Sequence, residues 1–450
     1  MTTKDSTIIS KTESYCPDCA TDHDACVKST NGKIVFEVSC PKGNKTILIS
    51  RDASIFMEIR NKSSVEISKH PDHSYSWSNL LEITNDCNSF CAVCYAASGG
   101  RSNPVYLDVN QIIRSASIIK KNGLHCITIT GGEPTLHPHL LKIVRQLSNM
   151  GFDVSMPTNG IIIGNNPDLP KKLKSNGLGC LYIQFDTLNS ATHLKLRGYG
   201  DFSDKEKALV HVRKSGLRFG IISTVIRDNL AEAGHIIQYA AGFAPNLFLI
   251  TFQAAAPAGR FNLHKDDLVH REDIIQSIIK SGTIAGLTYK NFWPYPRFDP
   301  YYLNLHPDCG ALLYLAVSGK NIEPLENILH IDKLYILSSK SRAKPSFFLS
   351  KLLFFSYLLR SLRFTKIPRL LRMLFGFITK RGSHSLIIVS IEQFMGEYYQ
   401  DKQRLAYCTT KHISPDGELV SGCIFNHWDD KRGPVIRNRA CNDKTQAPIG

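Results

Sequence analysis

Six short apolar runs of β character recur between residues 71 and 265 and alternate with stretches of helical periodicity. This alternation restricts the fold more than any other feature of the chain. The runs fall at residues 80–84, 126–130, 153–157, 180–185, 219–224 and 247–252. Helical stretches at 109–122, 139–150 and 204–215 lie between them, and Gly123, Gly151 and Gly216 follow as helix-terminating glycines. Strand–helix–strand repeats demand a parallel sheet covered by crossover helices. The expected fold class is α/β: a partial (β/α)6 TIM-type barrel, the open doubly wound sheet being the other arrangement this pattern allows. In both, ligands gather at the C-terminal ends of the strands.

At 450 residues the chain exceeds one compact domain. Five regions are expected: 1–70, a cysteine-rich knuckle; 71–265, the barrel core; 266–330, a bridging segment holding Cys309; 331–385, a basic apolar helical segment; and 386–450, a C-terminal cysteine region. A hydrophobic fraction of 43% and a charged fraction of 21% fit a chain with a substantial core and argue against wholesale disorder. The polar first 14 residues carry no secretory h-region, which makes a cytoplasmic location the expectation. In that setting thirteen cysteines, an odd number in tight groups, point to metal or redox chemistry before disulfides. The net charge of +15 is uneven, with twelve basic and no acidic residues between Lys333 and Arg381. A diffuse nucleic-acid surface does not fit that pattern, and no nucleic-acid partner is expected.

Cys87, Cys91 and Cys94 follow the first strand directly. Thiolates spaced by three and then two residues can wrap one corner of a cubane, ligating three irons and leaving the fourth open. A structural zinc site would need a fourth fixed ligand. Gly131, Gly132, Glu133 and Pro134 follow the second strand. Paired glycines there let the backbone approach a ligand closely, and a carboxylate can hold an ammonium group. Together these motifs resemble the radical S-adenosylmethionine (radical SAM) superfamily. The resemblance implies a 4Fe-4S cluster on the three cysteines whose open iron chelates S-adenosylmethionine, reductive cleavage to a 5′-deoxyadenosyl radical, and a flavodoxin- or ferredoxin-type reductant as partner. It further implies that Gly131, Gly132 and Glu133 meet the cofactor's amino group. Tyr95, the aromatic residue after the triad, and Thr158 and Asn159 after the third strand would line the same site. Gln184 and Asp186 after the fourth strand, Thr224 ending the fifth and Gln253 after the sixth complete the expected cofactor-binding set. No catalytic side chain beyond the cluster and cofactor is expected.

Cys16, Cys19 and Cys40 sit in two CP-type turns that resemble a rubredoxin knuckle, with Cys26 as a fourth ligand to an iron or zinc tetrathiolate. Cys408 and Cys423 flank the turn sequence at Pro415, Asp416 and Gly417, and with Cys309 could ligate an additional iron–sulfur cluster; His412 or Cys441 could complete the set. These outer motifs make the chain similar to the subgroup of tetraether lipid synthases and class D radical SAM methyltransferases. The expected reaction is functionalisation of an unactivated carbon by C–C bond formation or methylation, of a small molecule or lipid. Peptide modification is the alternative enzyme, and a multi-centre electron carrier the non-enzyme one. Apolar stretches studded with Lys and Arg across 345–381, parted by Pro368, suit helices lying on an anionic membrane surface or a helical cap on the barrel.

Overall fold

The computed structural model describes residues 6–63, 78–99, 104–200, 202–295, 305–339, 384–396, 398–413 and 418–425, with scattered positions between 356 and 375 and between 428 and 434. The stretch 345–381 therefore lies largely outside the described residues. The same holds for Cys441 and for the turn at Pro415, Asp416 and Gly417.

The chain begins as an antiparallel meander of four strands: β1 (Ser6–Cys16), β2 (Thr21–Thr30), β3 (Lys33–Val38) and β4 (Lys45–Ser50). Alternate residues of these strands, among them Ala25, Val27, Ile34, Phe36 and Val38, pack with Phe56 into a small core. Phe56 belongs to the helix Ala53–Asn61, whose first turn is capped by the Asp52 carboxylate accepting from the Ser54 and Ile55 N–H groups.

The barrel core then opens with β5 (Ser78–Thr84), followed by the two-residue β6 (Val93–Cys94), and continues through β7 (Cys126–Gly131), β8 (Asp153–Thr158), β9 (Leu178–Gln184), β10 (Arg218–Val225) and β11 (Leu247–Ala254). Strands β5, β7, β8, β9, β10 and β11 are parallel and adjacent in that order. Every second residue of these strands faces the helices. Ile127, Ile129, Val154, Met156, Leu181, Ile183, Phe219, Ile221, Ile250 and Phe252 are buried against helical residues such as Ile112, Ile143, Leu147, Leu209 and Ile237. Each such side chain contributes about 1.5–3 kcal/mol. The other face is polar at its base, where the hydroxyls of Ser78, Thr128 and Ser155 form a ladder with spacings of 2.8 and 2.9 Å.

The sheet does not stop at six strands. After β12 (Arg260–Phe261) and β13 (Phe292–Trp293), the chain forms β14 (Gly310–Ser318), β15 (Asn321–Pro324) and β16 (His384–Gln393). Strand β16 adds parallel to β11, and β14 adds antiparallel to β16. At the opposite edge β17 (Thr410–Ile413) lies parallel to β5, and β18 (Leu419–Ser421) returns antiparallel to it. Late segments of the chain thus border both ends of the barrel sheet. Among the described residues no helix is long and apolar enough to cross a membrane.

Candidate active site at the strand ends

The loop leaving β5 carries Cys87, Cys91 and Cys94 and is held from three sides. Two backbone hydrogen bonds join it to the turn after β7: Gly132 N–H to the Thr84 carbonyl at 2.8 Å, and Glu133 N–H to the Asp86 carbonyl at 2.7 Å. A Cβ on Gly131 would lie 2.1 Å from the Thr84 oxygen, and one on Gly132 would lie 1.9 Å from the Asp86 oxygen. The paired glycines are therefore required by the approach of two strand-end backbones, a tighter constraint than the ligand approach expected from sequence. On the second side, Ala92 N–H donates to the Leu196 carbonyl and the Ser89 hydroxyl to the Arg197 carbonyl, both at 2.9 Å. On the third, Arg260 donates to the Cys91 and Ser98 carbonyls at 2.7 and 2.8 Å and lies over the Phe90 ring, while β12 pairs with β6.

The Glu133 carboxylate is buried and joins the ends of β7 and β8. It accepts from the Thr135 N–H and hydroxyl (3.1 and 2.5 Å), the Thr158 hydroxyl (2.7 Å) and the Asn159 N–H (2.7 Å). Asn159 reaches back to the cysteine loop, its amide donating to the Asn88 side chain at 2.7 Å and standing 4.0 Å from the Cys87 sulfur.

Beyond it, Arg197 binds Asp186 through two hydrogen bonds of 2.6 and 2.7 Å and the Thr224 hydroxyl at 3.0 Å, while Thr224 N–H donates to Asp186 at 2.8 Å. Lys205 donates to Gln184 at 2.8 Å and to the Asn159 carbonyl, and Gln184 donates to Asp186. Of the expected cofactor residues, Glu133, Thr158, Asn159, Gln184, Asp186 and Thr224 are thus joined in one hydrogen-bonded arc at the strand ends.

Two residues of this arc, Arg197 and Lys205, were not legible in the sequence. Arg197 ends its helix, where a basic residue ordinarily complements the helix dipole from solvent, and Lys205 falls in the first turn of the next, where a surface lysine would carry no signal. Here both are buried. Burial pushes the Lys205 ammonium down to about 8. At Cys91 burial pushes the thiol up, but the Arg197 guanidinium and the Ser89 hydroxyl outweigh it and leave the thiol below its ordinary value. Burial raises Cys87 to about 12. A neighbouring cation favours the thiolate, the form that binds metal. Among the described residues, the three sulfurs do not come within the 4.8 Å span of a single-ion site, although they lie within electrostatic reach of one another. Thiols spread in this way suit a cluster, whose ligands bind different irons.

Residues 81–240, from β5 to the helix before β11, match the radical SAM superfamily model. The chain carries a radical SAM domain. A 7,8-dihydro-6-hydroxymethylpterin dimethyltransferase from Methanocaldococcus jannaschii is 26% identical over 478 aligned residues, covering 92% of this chain and 93% of that protein. A probable GTP 3′,8-cyclase from Saccharolobus solfataricus is 30% identical over 205 residues, 44% of this chain and 64% of that protein, so the match spans less than two thirds of the cyclase. Among solved structures, Streptococcus suis SuiB bound to S-adenosylmethionine aligns at 14% identity and a TM-score of 0.39, over 47% of this chain and 48% of that one. The cofactors that the radical SAM family implies are a 4Fe-4S cluster and S-adenosylmethionine, with an electron drawn from an external reductant.

Outside the radical SAM domain, three N-terminal thiols converge. Cys16 and Cys40 have sulfurs 3.4 Å apart, Cys19 and Cys40 3.6 Å, and all three lie within 4.8 Å of one another. The structure does not bring Cys26 to this group. Cys16 pairs with Thr21 at the start of β2, and Cys26 stands five residues further along that strand, about 17 Å at the usual rise. Beside the group, His23 Nε2 is 2.9 Å from the Cys19 sulfur but falls outside the set of donor atoms that all lie within 4.8 Å of one another. Hydrogen bonds from Thr21 and His23 lower Cys19 to about 6, whereas burial raises Cys16 to about 11. Three thiols at one point offer three of the four donors of a tetrahedral iron or zinc site.

Cys309 precedes β14, Cys408 precedes β17, and Cys423 follows β18. The three are within electrostatic reach of one another and of the buried Arg404, which donates to the Cys309 sulfur at 3.3 Å. Of the candidates for completing this set, His412 stacks on Phe425 at 4.0 Å. Tyr95 connects this group to the triad: its ring stacks on Phe394 and its hydroxyl donates to the Gly422 carbonyl at 2.7 Å. Gln253 points the other way along the sheet and donates to Glu392 at 3.0 Å.

Proposed function

We propose that this radical SAM enzyme functionalises an unactivated carbon, by methylation or C–C bond formation, on a small substrate containing a 2-amino-4-oxopyrimidine ring. The observation that carries the radical step is the interlock of the Cys87–Cys94 loop with the Gly131–Glu133 turn, bridged by Asn159. The full-length relative named above acts on a dihydropterin and the shorter one on GTP. Pterin and guanine share the 2-amino-4-oxopyrimidine ring, and this common chemistry supports the substrate class.

In this reading Cys87, Cys91 and Cys94 hold the cluster, which with S-adenosylmethionine supplies one-electron cleavage and a carbon-centred radical. The chain's own residues bind, orient and exclude water. Glu133 takes the cofactor's ammonium. Two of its four hydrogen bonds come from hydroxyls, Thr135 and Thr158, which can rotate away to release acceptor sites; the two N–H donors are fixed by the backbone. The Thr135 and Asn159 N–H groups fix that carboxylate, and Thr158, Gln184, Asp186 and Thr224 border the same space with Arg197 and Lys205. Cys16, Cys19 and Cys40 hold a single iron or zinc, and Cys309, Cys408 and Cys423 an additional cluster.

The test is 5′-deoxyadenosine formation by anaerobically reconstituted enzyme under reduction. Wild type is expected to form it and Cys91→Ala to form none. Glu133→Ala, which removes a charged hydrogen bond of about 1.5–3 kcal/mol, is expected to weaken S-adenosylmethionine binding about 10- to 100-fold. A reducible cluster in wild type that yields no 5′-deoxyadenosine, with dihydropterin present or absent, would overturn the reading.

A further inference from the structure

One row of side chains beside this site has no part in holding the cluster. Thr224 pairs with Gln253, Gln253 with Glu392, and Glu392 with Gly310, in register across β10, β11, β16 and β14. Their sequence neighbours Val225, Phe252 and Ile391 are buried among the helices, so the row lies on the opposite, inner face. Thr224, Gln253 and Glu392 are half-buried there. The row begins where Arg197 binds Thr224 beside the cysteine triad, and it ends at Tyr295. At about 4.8 Å per strand, Glu392 is about 10 Å from Thr224, with Gln253 between them in the row.

Proton counting shows what Glu392 lacks. Its Oε2 accepts from Gln253. Its Oε1 is 3.1 Å from the Tyr295 hydroxyl and 3.3 Å from the Ser390 hydroxyl, but those two hydroxyls are themselves only 2.6 Å apart. Two hydroxyl protons serve three contacts, and one must lie between Tyr295 and Ser390. A single proton is left for Oε1. A carboxylate offers about four acceptor sites, so among the described residues each oxygen of Glu392 keeps one open. Gly310 permits the arrangement, because a Cβ there would meet the Tyr295 ring at 2.7 Å.

We propose that Glu392 is the substrate-recognition residue, accepting two N–H donors of the ring edge in a paired hydrogen bond, with Tyr295 and Ser390 orienting its carboxylate. This rests on the 2-amino-4-oxopyrimidine reading above, whose amino group and adjacent ring N–H form such a pair. Paired N–H donors on a carboxylate are both strong and selective.

The probes are 7,8-dihydro-6-hydroxymethylpterin and its lumazine counterpart, which has an oxo group in place of the 2-amino group. Binding is measured by equilibrium dialysis against reconstituted wild-type and Glu392→Gln enzymes, with iron content and 5′-deoxyadenosine formation without substrate as controls for folding and for the radical step. Wild type is expected to bind the pterin at least tenfold more tightly than the lumazine. Glu392→Gln should lose that preference and keep both controls. Equal pterin affinity in the two enzymes, an equal loss for both ligands, or no pterin binding by wild type would overturn the proposal. A failure of the radical step alone would appear only in the control.

Discussion

At the scale of single residues, the site depends on two backbones meeting without side chains between them. Gly132 faces the Asp86 carbonyl so closely that an added Cβ would stand 1.9 Å from its oxygen and 2.6 Å from its carbon. Those atoms belong to the loop that presents Cys87, so relief requires moving the loop. Gly132→Ala is expected to cost about 3 kcal/mol or more, the upper range for overpacking, and to lower the iron bound by the triad. Iron content and the thermal midpoint of the purified variant check this; wild-type values for both would show that the interlock is dispensable. Arg197 acts at the same scale but through charge, because its guanidinium is the largest of the effects that counter burial at the Cys91 thiol.

At the scale of elements, the N-terminal meander shows how strand geometry selects ligands. Cys16 and Cys40 end up adjacent because β1 hands over to β2 through the turn holding Cys19, and because Cys40 follows β3 on the same side of the sheet end. The rise of a strand carries Cys26 away, to a position opposite Lys11 and Glu37. Metal analysis of single variants separates these roles. Cys16→Ser, Cys19→Ser and Cys40→Ser should each lose about one equivalent of iron or zinc. Cys26→Ser should retain it, and His23→Ala should bind the metal more weakly. Loss of metal in Cys26→Ser at unchanged stability would count against this assignment. The hairpin of β17 and β18 works in a similar way, bringing Cys408 and Cys423 to one edge of the barrel sheet beside β5.

At the scale of the whole molecule, the N-terminal sheet is fastened to the barrel by a charged joint. Arg51 donates to Asp273 at 2.5 Å and lies 2.7 Å from His270 Nδ1, while the His270 N–H donates to Asp273 at 2.9 Å. Burial opposes ionisation of Asp273, but these partners outweigh it and hold its carboxyl at about 2. A carboxyl depressed in the folded state stabilises above its unfolded pKa, and that contribution is lost as pH falls toward the folded value. The shift is worth about 2 kcal/mol at neutral pH, fading between about pH 4 and pH 2. Asp273→Asn is therefore expected to be about 2 kcal/mol less stable than wild type at pH 7, with a smaller gap at pH 3. Urea unfolding at both values tests this, and an equal gap at the two would rule out the linkage. The same packing closes around Cys309, where the buried Arg404 and the Arg60–Asp308 pair hold the turn before β14.

The six parallel strands were legible because each is a short apolar run of β character set between stretches of helical periodicity, and because a glycine ends several of those helices. The triad and the glycine turn were legible as well, since their chemistry is set by spacing within a few residues. Contacts between distant segments were not. Strands β14 and β16 enter the sheet from regions read as a bridge and a tail, and only their pairing brings Glu392 level with Gln253. Arg197 and Lys205 look like ordinary basic residues at helix ends until folding buries them. Cys26 fits a four-cysteine motif by count and fails it by strand rise. Local periodicity and short-range spacing are properties of the chain itself, so the sequence alone determined the barrel core and the spacing of the three cysteines that follow its first strand. Burial, register and the meeting of remote strand ends exist only after packing, and the tertiary structure alone decided the charges around the thiols, which three thiols converge at the knuckle and the acceptor row beside the site.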